Sequence, residues 1–184
     1  ELLSLVGKTA ALCAEDSRCV WLNQYTNEDN WRAHTEPAIR ALNKGEVSQA
    51  VIADLNFTLN NWPNHPAALQ AVANYERRGG KPYEFYSGDC YFIRGRGMVP
   101  TDANIVVLHG LYHYRVKKDP KKAVATLEEA LAMDSSLIDA HYNIGLIYAD
   151  MGKHDLALQH AHTAYAAGYP LDGLRKNAKG PGSG

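Results

Sequence analysis

The chain has 184 residues, with 19 Lys and Arg against 20 Asp and Glu and a formal net charge of −1. That balance excludes a strongly basic nucleic-acid binder and an acidic tail protein, and 46% hydrophobic with 21% charged residues describes a globular chain rather than a disordered one. No run approaches the ~18 apolar residues of a membrane-crossing helix, and three cysteines are too few for a disulfide scaffold.

Residues 1–35 fit no repeat and are read as an N-terminal extension. Leu2, Leu3, Leu5, Val6 and Leu12 suggest a helix, Asn23 to Asn30 reads as a polar loop, and Trp21 and Trp31 are bulky groups suited to covering an apolar end. The C-terminal half carries an internal repeat. Gly110 aligns with Gly145 at an offset of 35, and Ala123 with Ala157 at 34. Each unit reads as helix–turn–helix. In the first, Asp102 is placed to cap a helix through Ile105, Leu108 and Tyr112. Lys117–Pro120 is the turn, with Pro120 suited to a helix start. Val124, Leu127, Leu131 and Met133 continue an apolar face. In the second, Ile144, Ile147, Tyr148 and Met151 fall at helical spacing, and Gly152 stops the helix. A second helix then carries Leu156, Ala157, Ala161, Ala164 and Tyr165, up to the break at Gly168-Tyr169-Pro170.

The run Ala140-His141-Tyr142-Asn143-Ile144-Gly145-Leu146-Ile147-Tyr148 resembles the first helix of a tetratricopeptide repeat, a unit of about 34 residues. Ala157, Ala161 and Ala164 stand where that family places its packing residues, and His141 stands in place of its usual Trp. The resemblance implies an all-α, right-handed superhelical stack of about four helix pairs. Extended to the earlier chain, it implies units at about 36–62, 65–99, 102–135 and 137–169. In the earliest, Pro37 to Asn43 and Ala50 to Leu59 are the helices. In the next, Ala67 to Arg78 is followed by a partner around Tyr83–Gly97, with Tyr86, Cys90 and Phe92 inward; Gly88, Gly95 and Gly97 oppose that helix on propensity. A repeat stack needs polar ends, so Pro170–Lys179 is expected to be a capping helix and 180–184 a disordered tail. The stretches Asp54–Leu59, Trp62–Leu69 and Ala164–Leu171 are similar to a group of bacterial exported repeat proteins. That likeness implies a periplasmic or otherwise exported location, with the cytoplasm as the alternative.

Eight histidines raise the question of a metal. His109 and His113 are four apart and share a helix face, so they are the candidate pair. Gly110 stands where a zinc protease needs Glu, and the plainer reading is packing. Cys13 and Cys19 are close enough to close a small disulfide loop, which would leave Cys90 free and buried. No Cys-x-x-Cys and no catalytic triad context is present. Arg94 and Arg96, around Gly95, are expected on a solvated helix end. Lys117, Lys118, Lys121 and Lys122 read as a solvated basic turn, or otherwise as a contact for an acidic partner.

No catalytic residue and no cofactor is expected. The resemblance implies a concave groove lined by first helices, with Gln70, Arg77, Asn104, Leu111, Tyr114, Arg115, Tyr142, Asn143, Leu146 and Asp150 facing it. Asn143 and Gln70 suit a peptide backbone, Arg77 and Arg115 a carboxylate, and Tyr114 and Tyr142 offer aromatic area with a polar tip. Asn143 has the type that carboxylate-gripping members of the family use, but their Lys partners are absent. The expected function is a non-catalytic scaffold for a protein or peptide partner, with no nucleic acid and no membrane insertion. The alternatives are a structural or self-associating subunit of an envelope complex, acting through its convex face or the N-terminal aromatics, and a metal-binding protein using His109 and His113. Homo-oligomerisation is compatible with each.

Overall fold

The computed structural model describes residues 28–83 and 86–170; of residues 28–31 it describes the backbone alone. The expected N-terminal helix, the disulfide loop, the two Trp side chains, the capping helix and the tail lie outside the described residues. Eight helices run through the rest: α1 Glu28–Asn43, α2 Gln49–Asn61, α3 Pro66–Arg77, α4 Gly88–Met98, α5 Ala103–Arg115, α6 Pro120–Met133, α7 Ile138–Asp150 and α8 His154–Ala166. The protein is all-α and built from helix pairs. Two compact units divide inside α5, one reaching Leu108 and the other starting at His109.

The same local chemistry closes every first helix. Gly45 (φ 89°), Gly79 (φ 86°) and Gly152 (φ 72°) follow α1, α3 and α7 in the left-handed region. At each, the next amide donates back to a helix carbonyl: Glu46 to Ala41, Gly80 to Tyr75 and Lys153 to Tyr148, at 3.0, 3.0 and 2.8 Å. These bonds satisfy carbonyls that the helix end leaves open. After α5 the left-handed residue is Lys118 (φ 56°), the one non-glycine with positive φ among the described residues. Three helices, α2, α3 and α6, start with side-chain caps. Ser48 Oγ accepts from Val51 N–H at 3.4 Å, His65 Nδ1 from Ala68 at 3.2 Å and Asp119 Oδ1 from Lys122 at 2.9 Å. Pro66 and Pro120 stand at the first helical position after the last two caps.

In the first unit, Leu42, Ile52, Leu55, Leu59, Leu69, Val72 and Tyr75 form the core. α1 begins at Glu28, so part of the expected polar loop is helical and Pro37 lies inside the helix instead of starting it. α4 begins at Gly88, later than expected; Tyr83 and Tyr86 make an isolated bridge before it. Gly95 is not a defect in α4 but a contact. A Cβ there would meet the Pro63 carbonyl oxygen at 2.6 Å, and only a bare α-carbon allows that approach. Arg94 is buried, not solvated, and donates to Asn60 Oδ1 at 3.0 Å and to the Leu59 carbonyl at 3.4 Å, at the C-terminal end of α2. Tyr91 donates to Asn56 Oδ1 at 2.8 Å. The Glu76 carboxylate accepts from the Gly88 amide at 2.7 Å, holding the N-terminus of α4. Cys90 is fully buried on α4, as expected, but it is disulfide-bonded rather than free.

In the second unit, Tyr112, Leu127, Ile144 and Ile147 are fully buried. At Gly110 a Cβ would lie 2.8 Å from Leu127 Cγ and 3.3 Å from the Ala123 carbonyl, so α5 and α6 touch there. Ala157, Ala161 and Ala164 are buried on α8, whereas Leu156 and Met133 are exposed.

Two substitutions test this account by urea unfolding. Gly95→Ala gains helix propensity but drives a methyl into backbone, so a net loss of about 2 kcal/mol is expected. Unchanged stability would show that α4 does not need that approach. Lys118→Gly removes a left-handed strain of about 1–2 kcal/mol and adds unfolded-state freedom, leaving a gain of about 0.5 kcal/mol; a loss would mean the turn is held by the Lys118 side chain.

Candidate functional site

In the first unit the first helices α1 and α3 border a pocket of about 90 Å³. Leu42, Ala67 and Ala71 supply apolar surface, and Asn43, Gln70, Asn74 and Arg78 bring amide and guanidinium groups to it. Arg78 is held in place by a hydrogen bond from its guanidinium to the Leu42 carbonyl at the end of α1. Gln70 and Asn43 are exposed, and Asn74 is half-buried. The volume is below the roughly 300–1,000 Å³ of small-ligand pockets, and suits a single side chain. Of the ten residues expected to face the groove, only Gln70 reaches this pocket. Arg77 is exposed one residue before Arg78, outside the lining. Asn43, Asn74 and Arg78 were missed. Asn43 lies 34 residues before Arg77, yet the first lines the pocket and the second does not, so the repeat spacing alone does not pick out the lining.

In the second unit Tyr114 and Asp150 come together, the phenol donating to the carboxylate between α5 and α7. Burial and the neighbouring carboxylate push the Tyr114 phenol up to about 12. Arg115 and Asp150 are exposed; Leu111 and Asn143 are half-buried, with the Asn143 amide donating to the Asp139 carbonyl of its own helix at 2.7 Å. Tyr142 is covered: it is 6% exposed and its ring stacks on Tyr169 at 4.1 Å between centroids. Leu146 packs against the same cluster. Burial and the Asp139 carboxylate, to which Tyr169 hydrogen-bonds, push the Tyr169 phenol up to about 12. Tyr142 and Leu146 are therefore shielded by the chain's own Tyr169. Asn104, on the first-unit part of α5, is exposed.

His109 and His113 are 4% and 1% exposed, with rings 4.3 Å apart between centroids. The helix-face expectation is met in position: both sit on one side of α5. The basic turn is exposed at Lys117, Lys118 and Lys121, and the Lys117 ammonium lies 5.4 Å from the centre of the Tyr112 ring.

Repeat spacing, paired helices and the left-handed closing turn define a class of helical-repeat proteins. Residues 113–152 of the chain match the family described as TPR repeat. Two solved structures, both of MamA, share the fold. One has 18% identity and a TM-score of 0.56, covering 83% of this chain and 80% of the other. The second has 20% identity and a TM-score of 0.51, covering 84% and 90%. No curated protein matches the chain.

The raised Tyr114 value has a testable consequence. Because the folded value lies above the free value near 10, the neutral phenol stabilises the fold below pH 10, and that contribution is lost as pH rises toward 12. Tyr114→Phe should cost about 1 kcal/mol at pH 8 and should flatten the fall in stability between pH 10 and 12. An equal fall in wild type and variant would remove this hydrogen bond from the account.

Proposed function

We propose that the chain is a non-catalytic interaction scaffold that binds a peptide segment of a protein partner at the first helices α1 and α3 of its first unit. The observation that carries the reading is the pocket between α1 and α3. Its apolar surface accepts one side chain, while Gln70, Asn74 and Asn43 offer amide donors and acceptors to the peptide backbone. Arg78 adds a guanidinium that is already anchored and needs little reordering on binding. In the second unit, Tyr142 and Leu146 are covered by Tyr169 and do not take part. The size of the pocket favours a peptide over a small-molecule substrate, and the family fold agrees with a protein-interaction role.

The test uses a random-peptide display library panned against the purified full chain. Enriched peptides should bind with micromolar affinity, and Gln70→Trp should weaken them at least tenfold by filling the pocket from an exposed position. Circular dichroism controls for folding. Peptides that keep full affinity for a folded Gln70→Trp protein would place the binding surface elsewhere, and a library yielding no binder would count against peptide recognition itself.

A further inference from the structure

A second histidine pair lies on the second unit, away from the residues assigned to peptide binding. His141 belongs to the first turn of α7 and His160 to the middle of α8, 19 positions later. Their Nδ1 atoms face each other at 3.1 Å while the ring centroids stand 5.2 Å apart. The rings therefore meet by their nitrogen edges and do not stack. Two imidazole nitrogens bound to one cation at about 2.0–2.1 Å each would be roughly 2.9–3.4 Å apart for bond angles between square and tetrahedral. The observed separation falls inside that window, and a small tilt of each ring would aim both nitrogens at one ion.

We propose that His141 and His160 form a site for a divalent transition-metal cation of the zinc, nickel or copper class, held between α7 and α8. Imidazole selects those ions over magnesium and calcium, which prefer oxygen. Both rings are half-buried, so water can complete the coordination. Burial lowers the proton affinity of both rings, and His141 lowers that of His160 further, which keeps the pair in the neutral, ligating form at pH 7. The Glu128 carboxylate acts on His160 and accepts from the Tyr148 hydroxyl at 3.3 Å, supplying a negative charge outside the ligand pair. The bound ion would tie the last helix pair together, and its binding free energy would add to the stability of the fold. Sequence spacing alone does not show this pair, because the two residues meet only when α8 folds back on α7.

The experiment is thermal unfolding and isothermal titration of the untagged full chain, stripped with EDTA, at pH 7.5 with ZnCl₂, NiCl₂ or CuCl₂ and with MgCl₂ as the comparison. Transition-metal ions should raise the melting temperature saturably with about one ion per chain, and MgCl₂ should not. His141→Gln and His160→Gln should each weaken binding at least tenfold, while His154→Gln, exposed at the start of α8, should leave it unchanged. If a variant melts too low to compare, titration at 15 °C reads the same affinities. Equal metal binding by the double variant His141→Gln/His160→Gln, or no binding by wild type, would overturn the proposal.

Discussion

Everything else in the chain depends on a single backbone requirement, the left-handed residue that closes each first helix. A helix ends with unpaired carbonyls, and a reversal that leaves them dry is costly. At Gly45, Gly79 and Gly152 the positive φ turns the next amide back onto the helix it has left. The chain then leaves in a defined direction and the second helix packs against the first. Lys118 performs the same turn with a side chain that disfavours it, and this turn is the one carrying the basic cluster. The amide of Asp119 donates to the His113 carbonyl at 3.0 Å there, six residues back instead of five, so the turn returns an amide to its helix by a loop one residue wider.

Close packing follows from those turns, and it explains which small residues are needed. Gly95 and Gly110 both mark a place where a methyl would intrude, one against the Pro63 backbone and the other against Leu127. The two cases differ in kind. Leu127 is a side chain that can shift, whereas the Pro63 carbonyl is fixed by the α2–α3 turn, in which the His65 amide bonds the Trp62 carbonyl at 3.1 Å. α4 is poor in helix propensity and is held by its neighbours: by Arg94 and Tyr91 to α2, and by Glu76 at its first turn. These are buried polar ties with their partners in place, and removing either half leaves the other unsatisfied.

The sequence made the second-unit helices legible because their apolar spacing and turn residues agree. Ile144, Ile147, Ala157 and Ala164 are buried where the period places them. The first unit was less legible for physical reasons. Pro37 looks like a helix start because proline favours the first turn, yet α1 runs through it. Arg94 looks solvated because charge usually is, yet a helix C-terminus waits for it across nearly 35 residues of chain. The groove was legible in outline only. A period of 34 says which residues share a face, but not that Tyr169 covers Tyr142 or that Arg78, instead of Arg77, turns into the pocket.

The histidines show the same limit from the chemical side. A spacing of four puts His109 and His113 on one face of α5, where their rings meet at 4.3 Å between centroids with a 35° tilt. His141 and His160 converge from two different helices, a meeting that no spacing along one helix reveals. His141 occupies the position where the family usually places a bulky aromatic, and α8 offers only small residues at Ala157, Ala161 and Ala164 along its buried face. The smaller imidazole leaves an edge free, and His160 meets it. The Nδ1 contact thus joins α7 and α8 through a polar pair that 19 residues of intervening sequence conceal.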